Sequence, residues 1–445
     1  MKNFETYTVH CDLIQPLLYM GERGMRVDAE AMAIYSRLLK EENQQFQEQL
    51  NTIVGKELNI NSPKQMKDYF YAEKGVKPYI DRKTGAATVN AETLVRLKRR
   101  GFREASIIRQ IRHNNKMIGS YLEVTLGEDG RLRSLFNPAG AESGRISSSK
   151  TIFGEGLNSQ TIPGSLRKYL LADKGYILYV LDKAQAENRV VAYIAPEQNM
   201  IDAFEREIDV HKRTAGFIFG KPEDEISDEP YSSNLSGSEK SERDIGKQAN
   251  HALNYGLGYR KFAIRMEISE ADAKSIIDRY FSGYPGVRLY QNWVFEQARK
   301  TRTLINPFGR AYEFLDRIDS GTYYFIPQST VADLINRWGL LYIWHKRNTD
   351  FAGLELLNQV HDSVIYQIPI SLGWEEHLRM NSLICQSLDQ TLEFRGKEFS
   401  IPTDVSMGFN LLKEDQIKLK KLTKTTFKEA FNKLINGGTN ARSNA

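Results

Sequence analysis

Three features of this 445-residue chain predict a mixed α+β fold. Residues 176–181 (Tyr-Ile-Leu-Tyr-Val-Leu) form a strong β run that ends directly on Asp182. Residues 356–360 and 363–370 are two further β runs flanking His361-Asp362, the pattern of a hairpin with an acid at its tip. Most of the remaining chain carries helical spacing, so a small sheet should stand between helical lobes.

The elements follow in order. Residues 28 to about 54 favour helix, with Ile34 and Leu38, then Phe46, Leu50 and Ile53, at helical intervals. Ser62, Pro63 and Gln65 mark a second start, a cap followed by a first-turn proline and the partner of a capping box. Residues 90–97 and 105–121 also read as helices, which makes the first third a helical lobe. Its basic run (Arg96, Lys98, Arg99, Arg100) reads as a solvated helix face. Helical stretches are expected from about 185 to 219, a polar Ser-rich loop over 228–242, and a helix from about 243 to 255 stopped by Gly256 and Gly258.

Composition bounds the function. Hydrophobic residues at 41% and charged residues at 26% exclude a disordered chain. No apolar run approaches the roughly 20 residues of a membrane span, and the N-terminus lacks a secretory signal pattern. Two cysteines, Cys11 and Cys385, cannot build a disulfide framework or a zinc cluster. The expectation is a soluble intracellular protein with no membrane partner. The net charge of +5 resides in residues 415–445, a basic tail.

Two acids and one helix carry the chemistry. Asp182 and Asp362 are far apart in the chain, yet each ends a β run, so one sheet can bring their carboxylates together. Paired carboxylates with water and phosphate oxygens suit magnesium, and two such ions can drive an in-line phosphoryl displacement. Arg243, Lys247, His251 and Tyr255 recur every fourth residue. Each is therefore rotated only about 40° from the last, and all four share one helix face. A cationic end and an aromatic end on one face suit a triphosphate beside a base or sugar.

These segments together resemble family A DNA polymerases. Asp182-Lys-Ala-Gln185-Ala-Glu187-Asn-Arg189 is similar to motif A of that family, Arg243 to Gly256 to motif B, and Gln359-Val-His361-Asp362 to motif C. Shorter matches stand in family order: Ser143 to Ser149, Leu157 to Pro163, Asp209-Val-His211, Phe308-Gly-Arg310 and Gln328-Ser-Thr330. The resemblance covers about residues 10–412. It implies a right-hand polymerase fold, with an antiparallel-sheet palm and a helical thumb and fingers. The implied divisions are a lead-in at 1–19, thumb at 20–130, palm at 131–199 and 301–414, fingers at 200–300, and the tail at 415–445.

By the same resemblance, Asp182 and Asp362 hold two magnesium ions, helped by the backbone carbonyl of Lys183. Asp182, Asp362 and Lys247 are the expected catalytic residues. Arg243, Lys247, His211, His251, Tyr255, Gln185 and Glu187 would bind the incoming deoxynucleoside triphosphate, with Glu187 hydrogen-bonded to Tyr255 to exclude a 2′-hydroxyl. Arg112, Lys116, Arg145, Gln328, His361 and Arg310 would contact primer-template DNA. The implied activity is template-directed DNA synthesis in the cytoplasm of a bacterial or phage-infected cell. No proofreading exonuclease segment is recognisable, and the basic tail is a candidate contact for DNA or a replication partner.

The chain departs from the family pattern at Lys183, Ala184 and Asn188 in motif A and at Ser363 after the motif C aspartate, where many members have a third carboxylate. His251 replaces an aromatic ring, and its ordinary pKa of about 6.5 would allow added charge at mildly acidic pH. A single-subunit RNA polymerase and a non-catalytic DNA-binding protein on the same scaffold are the rival readings.

Overall fold

The computed structural model describes residues 4–441 except 82, 83, 236, 237, 316, 317, 319 and 320, with side chains described through 437. The Ser-rich loop at 228–242 is therefore described only in part, and the last four residues of the tail lie outside the described residues.

A five-stranded antiparallel sheet stands at the centre. Its strands are β1 (Tyr176–Lys183), β2 (Glu355–Val360), β3 (Ser363–Pro369), β4 (Thr403–Gly408) and β5 (Ile417–Leu419), in the order β5-β4-β1-β3-β2. β1 is buried on both faces because it alternates between two cores. Ile177, Tyr179 and Leu181 enter the large core, while Leu178 enters a second core at the base of the first lobe. Tyr179 stacks on Tyr366 of β3 with ring centres 5.7 Å apart. Its hydroxyl donates to Nδ1 of His377 (2.8 Å), whose Nε2 then donates to the Pro369 carbonyl (2.9 Å). Burial lowers the His377 pKa to about 4, which keeps the ring neutral in this role.

The chain opens with α1 (Phe4–Arg23), which packs on the central body, and the first lobe then holds α2 (Ala29–Val54), α3 (Ala91–Arg99) and α4 (Arg103–Met117). Most of the stretch expected as a lead-in at 1–19 is thus helical, and Leu13, Leu17 and Met20 of α1 pack in the large cluster. Capping is also only half as expected. Ser62 accepts from the Gln65 N–H, but the Gln65 side chain accepts from Asn59 rather than from Ser62. The tip of this lobe has its own core, built around Leu50, Phe70, Leu94, Leu97 and Ile108.

The second lobe holds α5 (Ala186–Ile194), α6 (Val210–Phe219), α7 (Glu242–Leu253) and α8 (Tyr259–Met266). The two lobes meet through charge. Lys98 pairs with Glu239 (3.2 Å) and Glu267 (3.1 Å), and Arg109 with Glu267 (2.6 Å). Lys98 thus belongs to a bridge between lobes and not to a merely solvated face.

The C-terminal segment is also ordered into the body. After α9 (Gly373–Leu388) and β4, the chain adds β5 to the sheet edge and then α10 (Lys424–Ala441). Phe427, Ala430 and Phe431 of α10 are buried in the large core, and Phe427 stacks on Tyr179 at 6.5 Å. The basic tail is therefore a docked helix whose apolar face packs into its own fold. Among the described residues, no helix is long and apolar enough to cross a membrane.

Candidate active site

Strand register builds the floor of the site. Asp182 on β1 lies opposite Ser363 on β3 and Asp404 on β4. The next row on the same face runs Lys418, Ser406, Val180, Ile365 and Asn358 across all five strands. Period-two alternation puts both rows on one surface. That surface floors a cavity of about 580 Å³, whose lining includes Asp182, Asp362, His211, Lys247, His251 and Glu187.

The hairpin between β2 and β3 delivers Asp362. His361 adopts φ 52°, a left-handed conformation that costs a non-glycine residue free energy and recurs at sites held by their surroundings. The Gln359 side chain ties this turn by donating to the His361 carbonyl (2.8 Å). The Lys183 N–H donates to the Asp362 carbonyl (3.0 Å), which locks the hairpin against β1. Burial, and after it the neighbouring Asp362 charge, raise the Asp182 pKa to about 7. Burial also raises the Asp362 pKa, against the pull of Arg145, His361 and Lys413. Two carboxylates pushed up together are poorly solvated and mutually repulsive. A divalent cation relieves both strains, and hard oxygen donors are what magnesium prefers. The residues present fit that ion. Among the described residues, no cluster of three or more His, Cys, Asp or Glu forms a complete metal cage.

Lys183, a departure in motif A, is explained by the core. Its side chain is fully buried, with Nζ on Asp389 (2.8 Å), the Leu388 carbonyl (3.0 Å) and Thr403 (3.0 Å). The side chain therefore points away from the floor that Asp182 faces.

The opposite wall is α7. Gly246 lets it approach α6 closely, since a Cβ there would lie 2.3 Å from the His211 carbonyl oxygen. The contact places the His211 and His251 rings 5.9 Å apart, and the Asn250 amide lies 3.1 Å from His211 Nδ1. Burial drives the His211 pKa down to about 4. Partial burial, then Lys247 and Arg265, also lowers the His251 pKa. This opposes the added charge that the sequence suggested for His251 at mildly acidic pH. Lys247 stands exposed at the cavity.

Arg243, at the start of α7, is engaged elsewhere. Its Nε donates to Asp209 (2.8 Å), the residue that caps α6, and its side chain does not line the cavity. Gln185 lines the cavity with φ 50°, and its buried Oε1 has no protein partner. Such an atom suits a ligand or water.

Glu187 is gripped from two sides. It accepts from the Tyr255 hydroxyl, as the sequence suggested, and pairs with Arg145. Gln328 also hydrogen-bonds Tyr255, so Arg145, Glu187, Tyr255 and Gln328 form one network. Three cationic residues expected on DNA divide differently. Lys116 is exposed on α4. Arg112 donates to the carbonyls of Val89 (2.8 Å) and Ile60 (2.9 Å), spending its guanidinium inside the first lobe. Arg310 is corrected outright: it is 3% exposed and holds both oxygens of buried Asp333 at 2.7 and 3.0 Å. Here that guanidinium is taken up by Asp333 rather than presented to solvent.

Sequence reasoning missed Asp404, Lys413, Lys418 and Arg167, all of which line the cavity. Alternation gave a signal for Asp404 and Ser406, which interleave with buried Val405 and Met407 on β4.

The model of DNA polymerase family A matches residues 29–411. DNA polymerase I of Pseudomonas aeruginosa is 28% identical over 381 residues, covering 81% of this chain and 40% of that protein. DNA polymerase I of Bacillus caldotenax is 26% identical over 412 residues, covering 86% and 44% respectively. The chain thus spans less than half the length of these relatives. In three dimensions it is similar to the POL domain of Pol1 from M. smegmatis, solved in complex with DNA primer-template and dNTP. That match has a TM-score of 0.75 at 23% identity and covers 90% of this chain and 69% of the other. The fold is therefore the right-hand polymerase fold, with the central sheet as palm, and the chain belongs to DNA polymerase family A.

Proposed function

We propose that the chain is a template-directed DNA polymerase that adds deoxynucleotides to a primer 3′ end. One observation carries this reading: Asp182 and Asp362 share one cavity floor, with Lys247, His211 and His251 on the facing wall. Acids beneath, with an ammonium and two imidazoles above, make a site shaped for a phosphoryl group in transfer. The first lobe serves as thumb at about 20–130, the second as fingers at about 200–300, and the sheet with its flanks as palm.

Each residue has a physical task. Asp182 and Asp362, with the Lys183 carbonyl, would hold two magnesium ions. Bound there, magnesium supplies charge neutralisation on the phosphates and a lowered pKa for the primer hydroxyl. Lys247 places a fixed ammonium against the triphosphate, where negative charge shifts during transfer. His211, neutral at physiological pH, can donate one ring hydrogen bond to a phosphate oxygen without adding charge. Arg243 holds Asp209 and so positions the α6 end that carries His211, and it reaches phosphate only by exchanging that carboxylate. Glu187, fixed by Tyr255 and Arg145, fills the space beside the sugar. A 2′-hydroxyl entering there would break a buried hydrogen bond. Gln328 and Arg145 hold this network and stand ready for the minor-groove acceptors of the terminal pair. Lys116 is free to meet a duplex phosphate, as is His361 to approach the primer end.

Primer extension on a defined template with magnesium tests the reading. Complementary deoxynucleotides should be added in template order, and ribonucleotides poorly. No extension, or addition that ignores the template, would refute it.

A further inference from the structure

The family match ends at residue 411, yet the chain beyond it reaches into the cavity. Residues 413–415 form a turn, β5 joins the sheet edge, and α10 anchors the segment by burying Phe427 beneath β1. In register, Lys418 lies opposite Ser406, which lies opposite Val180. Lys418 therefore stands on the floor itself, one row from Asp182, and its Nζ pairs with Asp404 at 2.7 Å. Lys413, exposed at the turn, lines the same cavity. Both lysines attract the charge of Asp182, and Lys413 that of Asp362 as well.

Their position selects the anion they face. The floor runs from Asp182 through Val180 to Leu178, and Leu178 packs into the base of the first lobe with Met117, Tyr121 and Leu411. Leu411 donates to the carbonyls of Arg167 (3.3 Å) and Leu170 (3.1 Å), closing that side of the cavity. The opposite side, past Gln185, leads to the second lobe with Lys247 and His211. The two lysines thus lie on the thumb side of the carboxylates, away from the Lys247 and His211 side chains assigned to the triphosphate.

We infer that Lys413 and Lys418 form a phosphate-binding pair for the primer strand just upstream of its 3′ end. An ammonium is a compact point charge that grips a phosphodiester without reading sequence. The pair comes from a segment outside the matched family domain, so the C-terminal addition is part of the DNA-binding floor. This inference rests on the proposed function.

The test measures binding, so that it stands apart from catalysis. Anisotropy of a labelled primer-template, with EDTA and no nucleotide, gives Kd across a salt series for wild type, Lys413→Ala, Lys418→Ala, the double variant and Lys413→Arg. Each alanine should weaken binding and reduce the log–log salt slope by about 0.9, and Lys413→Arg should restore it. Methylphosphonates at the two primer phosphates nearest the 3′ end should weaken wild type and leave the double variant unchanged. Unchanged Kd and slope in both single variants would overturn the inference, as would an effect confined to the KM for nucleotide. Lys418→Ala leaves Asp404 unpaired, so its thermal midpoint is measured alongside, and Lys413→Ala, on an exposed turn, decides if that variant is unstable. Failure of wild type to extend primers would remove the proposed activity while leaving these binding results to judge the lysines.

Discussion

The palm floor and the thumb were read from different signals, strand pattern in one and family resemblance in the other, and their side chains meet different fates. On the floor, two β runs each ending on an acid predicted that Asp182 and Asp362 would meet, and strand register brings them together. In the thumb, the family resemblance implied a DNA contact for Arg112, and the structure gives its guanidinium two backbone carbonyls. The difference is one of reach. A short aspartate on a paired strand goes where the backbone takes it. A long guanidinium chooses among every acceptor within its radius, and a buried carbonyl without a partner is costly enough to win.

Variants sharpen that contrast. Asp362→Ala or Asp182→Ala should reduce single-turnover incorporation on the order of 10³-fold or more, while primer-template Kd changes little. Retained incorporation in either variant would remove the floor from catalysis. Next in size, Lys247→Ala should lower incorporation by about 10²-fold, with the loss mainly in the chemical step and in nucleotide KM. If Arg243→Ala matched it in nucleotide KM without loss of thermal stability, Arg243 would be a direct phosphate ligand despite its bond to Asp209.

A smaller effect is expected at Glu187. Glu187→Ala frees both Arg145 and Tyr255, and ribonucleotide incorporation relative to deoxyribonucleotide should rise about tenfold. An unchanged ratio would leave the network a structural one. In the thumb, Arg112→Ala should cost about 1–3 kcal/mol of stability through its two orphaned carbonyls. The Kd of the folded variant for DNA should stay within about twofold of wild type, and a larger loss with a shallower salt slope would return Arg112 to the DNA surface.

How much was legible in the sequence follows the same division. The central strands, the capped helices and the facing wall of α7 were readable because period and register are local properties. Glu187 meeting Tyr255 was readable through the resemblance. Arg310 was not, since its partner Asp333 lies on another element and no spacing links the two. In the C-terminal segment the apolar Phe427 and Phe431 were visible at helical spacing, but nothing local said that they would be buried in the chain's own core. Lys418 was hidden for a further reason: its place on the floor depends on β5 pairing with β4.

The central claim is that Asp182 and Asp362 are forced together on one floor, in the arrangement magnesium would relieve. Thermal unfolding of metal-free wild type and Asp182→Asn across pH 4 to 8 tests it directly. A carboxyl whose folded pKa is raised to about 7 binds its proton more tightly folded than unfolded, so its ionisation destabilises the fold. The two midpoints should agree near pH 4. Wild type should then fall progressively below Asp182→Asn, with the gap complete near pH 8, and magnesium should narrow it. A gap that is absent at every pH, with no response to magnesium, would contradict the account.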